Sequence, residues 1–226
     1  MSKPCPLLGV AVSADCVDCE AKACKDRKYK TICIGIDQSY TNTGISLSAD
    51  GKLLKIKHIE LAKYSSHSER RGALGKALDG LLKVIWYRAE NIICVFERIR
   101  LYSQNFLNID YIKQIGALNA VIIDTMHKWN VPVYSVDTRC WKSSVIGTSK
   151  GAANKYGVPE EKWPAVQWCI KQGFEDSILR SVEGRKQKGT FMRDGNRYMY
   201  DNDASDSAGI SMFWFVGDRD KLQEEH

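Results

Sequence analysis

The chain has 226 residues, of which 44% are hydrophobic, and these figures suit one domain with a sizeable core. It contains no apolar run long enough to span a bilayer and no hydrophobic signal segment near its N-terminus, so we expect a soluble, cytoplasmic protein with no membrane partner. The formal net charge of +6 permits a polyanionic partner such as nucleic acid but does not require one.

Residues 1–29 form a cysteine-rich N-terminal segment that contains four of the eight cysteines. In a reducing compartment, such clustering favours a structural zinc site over disulfides, and one close pair has the spacing of a zinc knuckle. A disordered leader with reduced thiols is the alternative, and the sequence leaves both open. The candidate zinc ligands are Cys5, Cys16, Cys19 and Cys24.

Five strands are predicted in the domain that follows, which we place at residues 30–218. The first three are antiparallel neighbours, because the turn between the second and third contains Asp50-Gly51, a strong hairpin signal. The later two are short apolar runs separated by a helical pattern. The predicted strands cover residues 31–37, 43–48, 52–58, 91–96 and 131–136.

Helical periodicity alternates with the later strands, and this order predicts an α/β domain with a mixed five-stranded sheet flanked by helices. Ser68 is the expected N-cap of the first helix. A basic insertion at residues 175–200 contains a hairpin signal at Asp194-Gly195, and the polar tail at residues 219–226 is expected to fray. The predicted helices cover residues 68–88, 109–127, 159–172 and 203–216, with a helical start at 137–142.

Four acidic residues follow one pattern. Asp37 closes the first strand, Glu97 closes the fourth, and Asp203 and Asp206 open the last helix with an i, i+3 spacing that turns both to one side. Strand ends and helix starts can converge at one edge of an α/β sheet. Four carboxylates there would repel one another unless hard divalent cations such as Mg²⁺ or Mn²⁺ held them. Turn residues and helix caps are the structural alternative for each acid taken alone.

Three motifs in this order, "IGIDQSYTNTGIS", "VFERI" and "DNDASDSAGISMFW", resemble the RuvC family of Holliday junction resolvases. The stretch "VPVYSVDTRCWKSSVIGT" is similar to the strand, helix and K-x-x-V-x-G segment of that family. The resemblance covers roughly residues 31–216 and is strongest in these short motifs. It implies a ribonuclease H-like (RuvC-type) fold, two divalent metals per active site, a homodimer and branched DNA as the substrate.

The resemblance also implies site residues. Its metal ligands map to Asp37, Glu97, Asp203 and Asp206, and its active-site lysine maps to Lys142. A second lysine maps to Lys150, Lys155 or Lys162, and Lys162 is favoured because "EEKWPAVQ" resembles the family's helix start.

The chain departs from the family at four places, one of which is a longer loop after Thr148. Gln38 and Ser39 replace the usual proline and glycine, and the cysteine-rich segment and the basic insertion have no counterpart in the bacterial enzyme. Phage-encoded relatives are similar, and some act on a broader range of branched DNA, so a phage-encoded member is favoured.

DNA-binding candidates lie in the loop after Glu97, in a Gly- and Lys-rich loop at residues 147–159 and in the basic insertion. The alternatives are a solvated surface loop for the insertion and a dimer interface for the two aromatic residues. The candidates are Arg98, Arg100, Tyr102, Phe106, Lys150, Lys155, Arg185, Lys186 and Lys188.

The sequence therefore predicts a structure-selective, Mg²⁺-dependent DNA endonuclease that resolves Holliday junctions and other branched DNA by phosphodiester hydrolysis. Its setting is DNA recombination or replication, or the debranching of phage DNA before packaging. The alternatives are a non-catalytic DNA-binding scaffold, an ATP-binding protein of the sugar kinase and actin type, and a packaging-type nuclease domain.

Overall fold

The computed structural model describes residues 28–98, 109–148, 150–183 and 189–226. The cysteine-rich segment, and with it the predicted zinc site of Cys5, Cys16, Cys19 and Cys24, lies outside these ranges. None of the helices within them is both long enough and apolar enough to cross a bilayer.

The described residues form two sheets, a large mixed one and a small antiparallel one. The large sheet has the order β3-β2-β1-β4-β5-β9, in which β1 pairs antiparallel with β2 and parallel with β4. The small sheet has the order β6-β8-β7. The strands are β1 (Tyr29–Asp37), β2 (Asn42–Ala49), β3 (Lys52–Glu60), β4 (Ala89–Glu97), β5 (Val133–Val136), β6 (Leu179–Ser181), β7 (Thr190–Arg193), β8 (Asn196–Tyr200) and β9 (Gln223–Glu225).

The C-terminal tail does not fray as predicted, and the large sheet has six strands instead of five. Strand β9 pairs antiparallel with β5, with Tyr134 opposite Glu224, and the Ser135 hydroxyl donates a hydrogen bond to Glu225 Oε1 at 2.5 Å. Strand β5 would otherwise present an unpaired edge, and the polar tail supplies the backbone groups that satisfy it. The polar composition of the tail therefore did not predict that it forms a strand.

Helices cover both faces of the large sheet. The first helix begins two residues earlier than predicted: Ser66 is its N-cap, and it forms a capping box with Glu69. A glutamate at the third helical position satisfies this cap, whereas Ser68 lies inside the helix. The α-helices of the described residues are α1 (His67–Ile85), α2 (Ile109–Lys128), α3 (Thr138–Trp141), α4 (Trp163–Lys171) and α5 (Asn202–Val216).

Alternation along β1 divides the core into two layers. Ile32, Ile34 and Ile36 pack with the leucine stripe of α1 and the apolar face of α2. Cys33 points the other way and packs with Ile210 and other residues of α5. The acidic end of β1 therefore lies on a strand that is covered by helices on both sides.

The small sheet corresponds to the basic insertion, and its β7–β8 hairpin turns at the predicted Asp194-Gly195, both with positive φ. An aromatic cluster joins this sheet to the start of α4, with neighbouring ring centroids 5.0–6.0 Å apart. The cluster consists of Tyr156, Trp163, Phe191 and Tyr200.

Candidate active site

Two glycines let α5 lie directly against the large sheet. A Cβ atom on Gly35 would stand 2.3 Å from the Ser207 carbonyl oxygen, and one on Gly44 would stand 1.9 Å from the Asp203 carbonyl oxygen. The Ser46 hydroxyl also donates a hydrogen bond to the Ser207 carbonyl oxygen at 2.6 Å. This close approach brings the acidic start of α5 over the end of β1.

Asp37 and Asp206 are buried, and one lysine lies between them. Asp37 is 8% exposed and Asp206 is 0% exposed. The ammonium of Lys162, the residue just before α4, lies 2.5 Å from Asp206 Oδ2 and 4.0 Å from Asp37 Oδ2. The favoured second lysine thus reaches two of the predicted metal ligands.

Asp37 interacts electrostatically with the other three predicted acids. Burial raises the pKa of Asp37 well above its usual value; Lys162 opposes this rise, and the carboxylates of Asp206, Glu97 and Asp203 add to it. Burial, followed by the charge of Asp201, raises the pKa of Asp203 to about 7. Burial alone would lower the pKa of Lys162, but Asp206 and Asp37 outweigh that effect and raise it. The structure therefore brings the predicted acids to one edge of the sheet.

Glu97 is held at three points. Its Oε1 accepts a hydrogen bond from the Thr138 hydroxyl at 2.7 Å, and its Oε2 accepts one from Trp141 Nε1 at 3.0 Å. Its carbonyl oxygen accepts one from Gln38 Nε2 at 2.6 Å. The sequence interpretation missed these partners of Glu97. Two features could have indicated them: the glutamine in place of the family proline, and the i, i+3 spacing of Thr138 and Trp141.

Lys142, the other predicted active-site lysine, is buried and turns its ammonium to the Glu161 carbonyl oxygen at 2.9 Å. Glu161 immediately precedes Lys162. In this structure Lys142 therefore anchors the segment that carries Lys162, and it is Lys162 that contacts the acids.

The remaining predicted DNA-binding residues are spread over the surface or lie outside the description. Lys150 and Lys155 are exposed, and the Lys155 ammonium lies 5.3 Å from the ring centroid of Tyr156. Arg98 Nε donates a hydrogen bond to the Ser135 hydroxyl at 3.2 Å, which ties it to β5. Six candidates fall outside the described residues: Arg100, Tyr102, Phe106, Arg185, Lys186 and Lys188.

Tyr111, which no sequence motif indicated, interacts electrostatically with the acids. It is in the first turn of α2 and is 52% exposed. Burial raises its pKa, and the charges of Asp37 and Asp203 raise it further. Its hydroxyl is therefore within electrostatic reach of the candidate active site.

The chemistry of the acids suits a hard divalent cation, although no three His, Cys, Asp or Glu side chains in the described part of the chain are arranged to hold a metal ion as they stand. All the charged oxygens at this edge are carboxylate oxygens, which Mg²⁺ and Mn²⁺ prefer. Within the described ranges of the chain, the buried oxygens Asp37 Oδ2 and Asp206 Oδ1 accept no hydrogen bond. Buried acceptors without a donor are unfavourable, and a bound cation would satisfy them.

Neither a protein-family model nor a curated protein matches this sequence. Among solved structures, RuvC from Thermus thermophilus is similar at 16% identity and a TM-score of 0.51, covering 86% of this chain and 99% of that one. Thermus thermophilus RuvC in complex with a Holliday junction substrate has 16% identity and a TM-score of 0.49, with coverage of 80% and 90%. The yeast mitochondrial Holliday junction resolvase has 14% identity and a TM-score of 0.46, with coverage of 92% and 88%.

The likeness to the first of these structures concerns the fold. Together with the mixed sheet and its flanking helices, it confirms the fold class that the motif order implied. The chain has a ribonuclease H-like fold of the RuvC type.

Proposed function

We propose that this chain is a structure-selective DNA endonuclease that hydrolyses phosphodiester bonds in Holliday junctions and other branched DNA. One observation carries the proposal: Asp37 and Asp206 are buried beside Lys162 at the edge of a RuvC-type sheet, and each has an oxygen to which no described residue donates a hydrogen bond. A fold alone does not specify a function, so the proposal depends on this site.

The free-energy cost of burying carboxylate oxygens without hydrogen-bond partners supports a catalytic role. A buried polar atom without a partner costs about 1–3 kcal/mol, and the site contains two on carboxylates alone. The side-chain amide oxygen Oε1 of Gln38, next to Asp37 in the chain, is a third buried acceptor to which none of the described residues donates. Strongly perturbed acids gathered in one place are more typical of active sites than of structural cores.

The proposed roles divide between acids and lysine. Two divalent cations, Mg²⁺ or Mn²⁺, held by Asp37, Glu97, Asp203 and Asp206, would activate the attacking water and stabilise the leaving oxygen. The Lys162 ammonium would offset negative charge on the scissile phosphate. Thr138, Trp141 and Gln38 hold Glu97 so that its carboxylate is ready in position.

Binding and assembly complete the proposal. Contacts with phosphates would supply most of the affinity, so binding should weaken as salt rises. Lys150 and Lys155 are exposed and suit such contacts. Two symmetric cuts in a junction need two active sites, which favours a C₂ homodimer. An intracellular, phage-encoded enzyme that also cuts forks and flaps belongs to this same proposal.

The test is a panel of end-labelled four-way junctions, forks, flaps and linear duplexes incubated with Mg²⁺, Mn²⁺ or EDTA. We expect paired, metal-dependent nicks in the junction and an intact linear duplex. Asp37→Asn should bind the junction and lose cleavage, whereas Asp124→Asn, at an exposed acid on α2, should cut like the wild type. Junction binding without cutting by the wild type would support the scaffold alternative instead.

A further inference from the structure

We infer that Trp141 is a positioning residue that fixes Glu97 relative to the acids of α5. This inference rests on the proposed function, because it concerns how two parts of that site are held in register. It is carried by contacts at the two ends of one buried side chain.

The first end contacts Glu97. Trp141 is 0% exposed, and its indole N–H donates to Glu97 Oε2 at 3.0 Å. Thr138, three residues earlier, donates to the other oxygen, Oε1, at 2.7 Å. Residues three apart lie on one side of a helix, so α3 presents both donors together. Two donors on two oxygens fix the plane of the carboxylate as well as its position.

The second end contacts α5. A Cβ atom on Gly209 would stand 2.5 Å from Trp141 Cζ3 and 2.6 Å from Cε3, so the indole lies against the helix backbone. Glycine is a poor helix former, and this contact accounts for its presence within α5. Gly209 is three residues after Asp206, on the same side of the helix.

One rigid ring therefore spans the gap between Glu97 and the helix that carries Asp203 and Asp206. The width of the indole sets how far the Glu97 carboxylate stands from α5. Loss of an outer partner of a carboxylate ligand typically costs about 10- to 100-fold in metal affinity or activity. We expect an effect of that size when either end of the Trp141 contact is changed.

Two variants change one end each. Trp141→Phe keeps an aromatic ring on Gly209 and removes the donor to Glu97, whereas Gly209→Ala keeps the donor and displaces the ring. Trp129→Phe is the matched control, because Trp129 is also buried and donates its indole N–H to a carboxylate oxygen, Asp79 Oδ1, at 2.7 Å.

There are three measurements: the affinity for Mn²⁺ by calorimetry without DNA, the affinity for a four-way junction, and the single-turnover cleavage of that junction over a range of Mn²⁺ concentrations. We expect Trp141→Phe and Gly209→Ala to bind Mn²⁺ and cleave about 10- to 100-fold more weakly, with recovery at high Mn²⁺ and unchanged junction affinity. Trp129→Phe should match the wild type in all three readouts.

Equal Mn²⁺ affinity and cleavage in Trp141→Phe and Trp129→Phe would overturn the inference. If Trp141→Phe does not fold, Thr138→Val removes the other donor and is decided by the same measurements. A wild type that neither binds Mn²⁺ nor cleaves would overturn the proposed function itself, and this is visible before any variant is compared.

Discussion

The acid edge, formed by Asp37, Glu97, Asp203 and Asp206, and the small sheet of β6, β7 and β8 are built in different ways. The acid edge is held by close backbone approach at glycines and by buried and partly buried hydrogen bonds. The small sheet is held to the domain by the aromatic cluster of rings. Close backbone packing tolerates little change, whereas a partly exposed ring cluster can adjust.

The two regions meet at Lys162. The lysine contacts Asp206 in the acid edge, and the next residue, Trp163, belongs to the aromatic cluster. The negative charges of the site thus come from the core of the fold, and its positive charge comes from a segment that the small sheet supports. The small sheet thus packs against Trp163, the residue that follows Lys162.

Among changes that leave the four acids of the acid edge in place, the largest effect should come from removing the charge of Lys162, where the two regions meet. Lys162→Met keeps the aliphatic stem and removes the ammonium, so we expect junction cleavage to fall by about 10²- to 10³-fold, as for other lost electrostatic stabilisers. Single-turnover cleavage at saturating Mg²⁺ measures it. Lys142→Met is the comparison, because Lys142 donates to the Glu161 carbonyl oxygen. A larger loss in Lys142→Met would reverse the roles of the two lysines.

A smaller but distinct effect should follow from disturbing the backbone contact of the acid edge. Gly44→Ala places a methyl group where the Asp203 carbonyl oxygen lies, so we expect the free energy of unfolding to fall by about 1–3 kcal/mol, with a loss of cleavage. Gly80→Ala is the control, since a Cβ there meets nothing within 4 Å. Urea unfolding measures the free energy of unfolding of both variants. Equal values for Gly44→Ala and Gly80→Ala would contradict the close contact at Gly44.

The smallest effect should come from the aromatic cluster. Phe191→Ala removes a half-buried ring 5.0 Å from Tyr156 and 5.0 Å from Tyr200, so we expect a loss of about 1–2 kcal/mol, less than for a fully buried ring. Cleavage should fall several-fold if the small sheet supports Lys162. Met192→Ala, on the exposed face of the same strand, should change neither quantity. If Phe191→Ala shows the expected loss of stability but cleaves at the wild-type rate, the small sheet does not support Lys162.

The sequence could predict what depends on short stretches of the chain. Asp37 and Glu97 end apolar strands, and the two aspartates start a helix, so their convergence followed from the α/β pattern. The sequence could not predict pairing between distant segments. The tail forms β9 because it pairs with the open edge of β5, and the bonded residues Ser135 and Glu225 are 90 positions apart. The partners of Glu97 were also missed, because they depend on how Trp141 packs against Gly209.

The central claim is that the acid edge performs metal-dependent cleavage of branched DNA, and Asp206→Asn tests it most directly. Asp206 is fully buried and pairs with Lys162, and the amide is nearly the same size as the carboxylate. The measurement is cleavage of a strand-labelled four-way junction in Mg²⁺ by wild type and variant, with junction binding measured alongside. We predict two symmetric nicks from the wild type, and binding without nicks from Asp206→Asn. Cleavage by the variant at the wild-type rate would contradict the account.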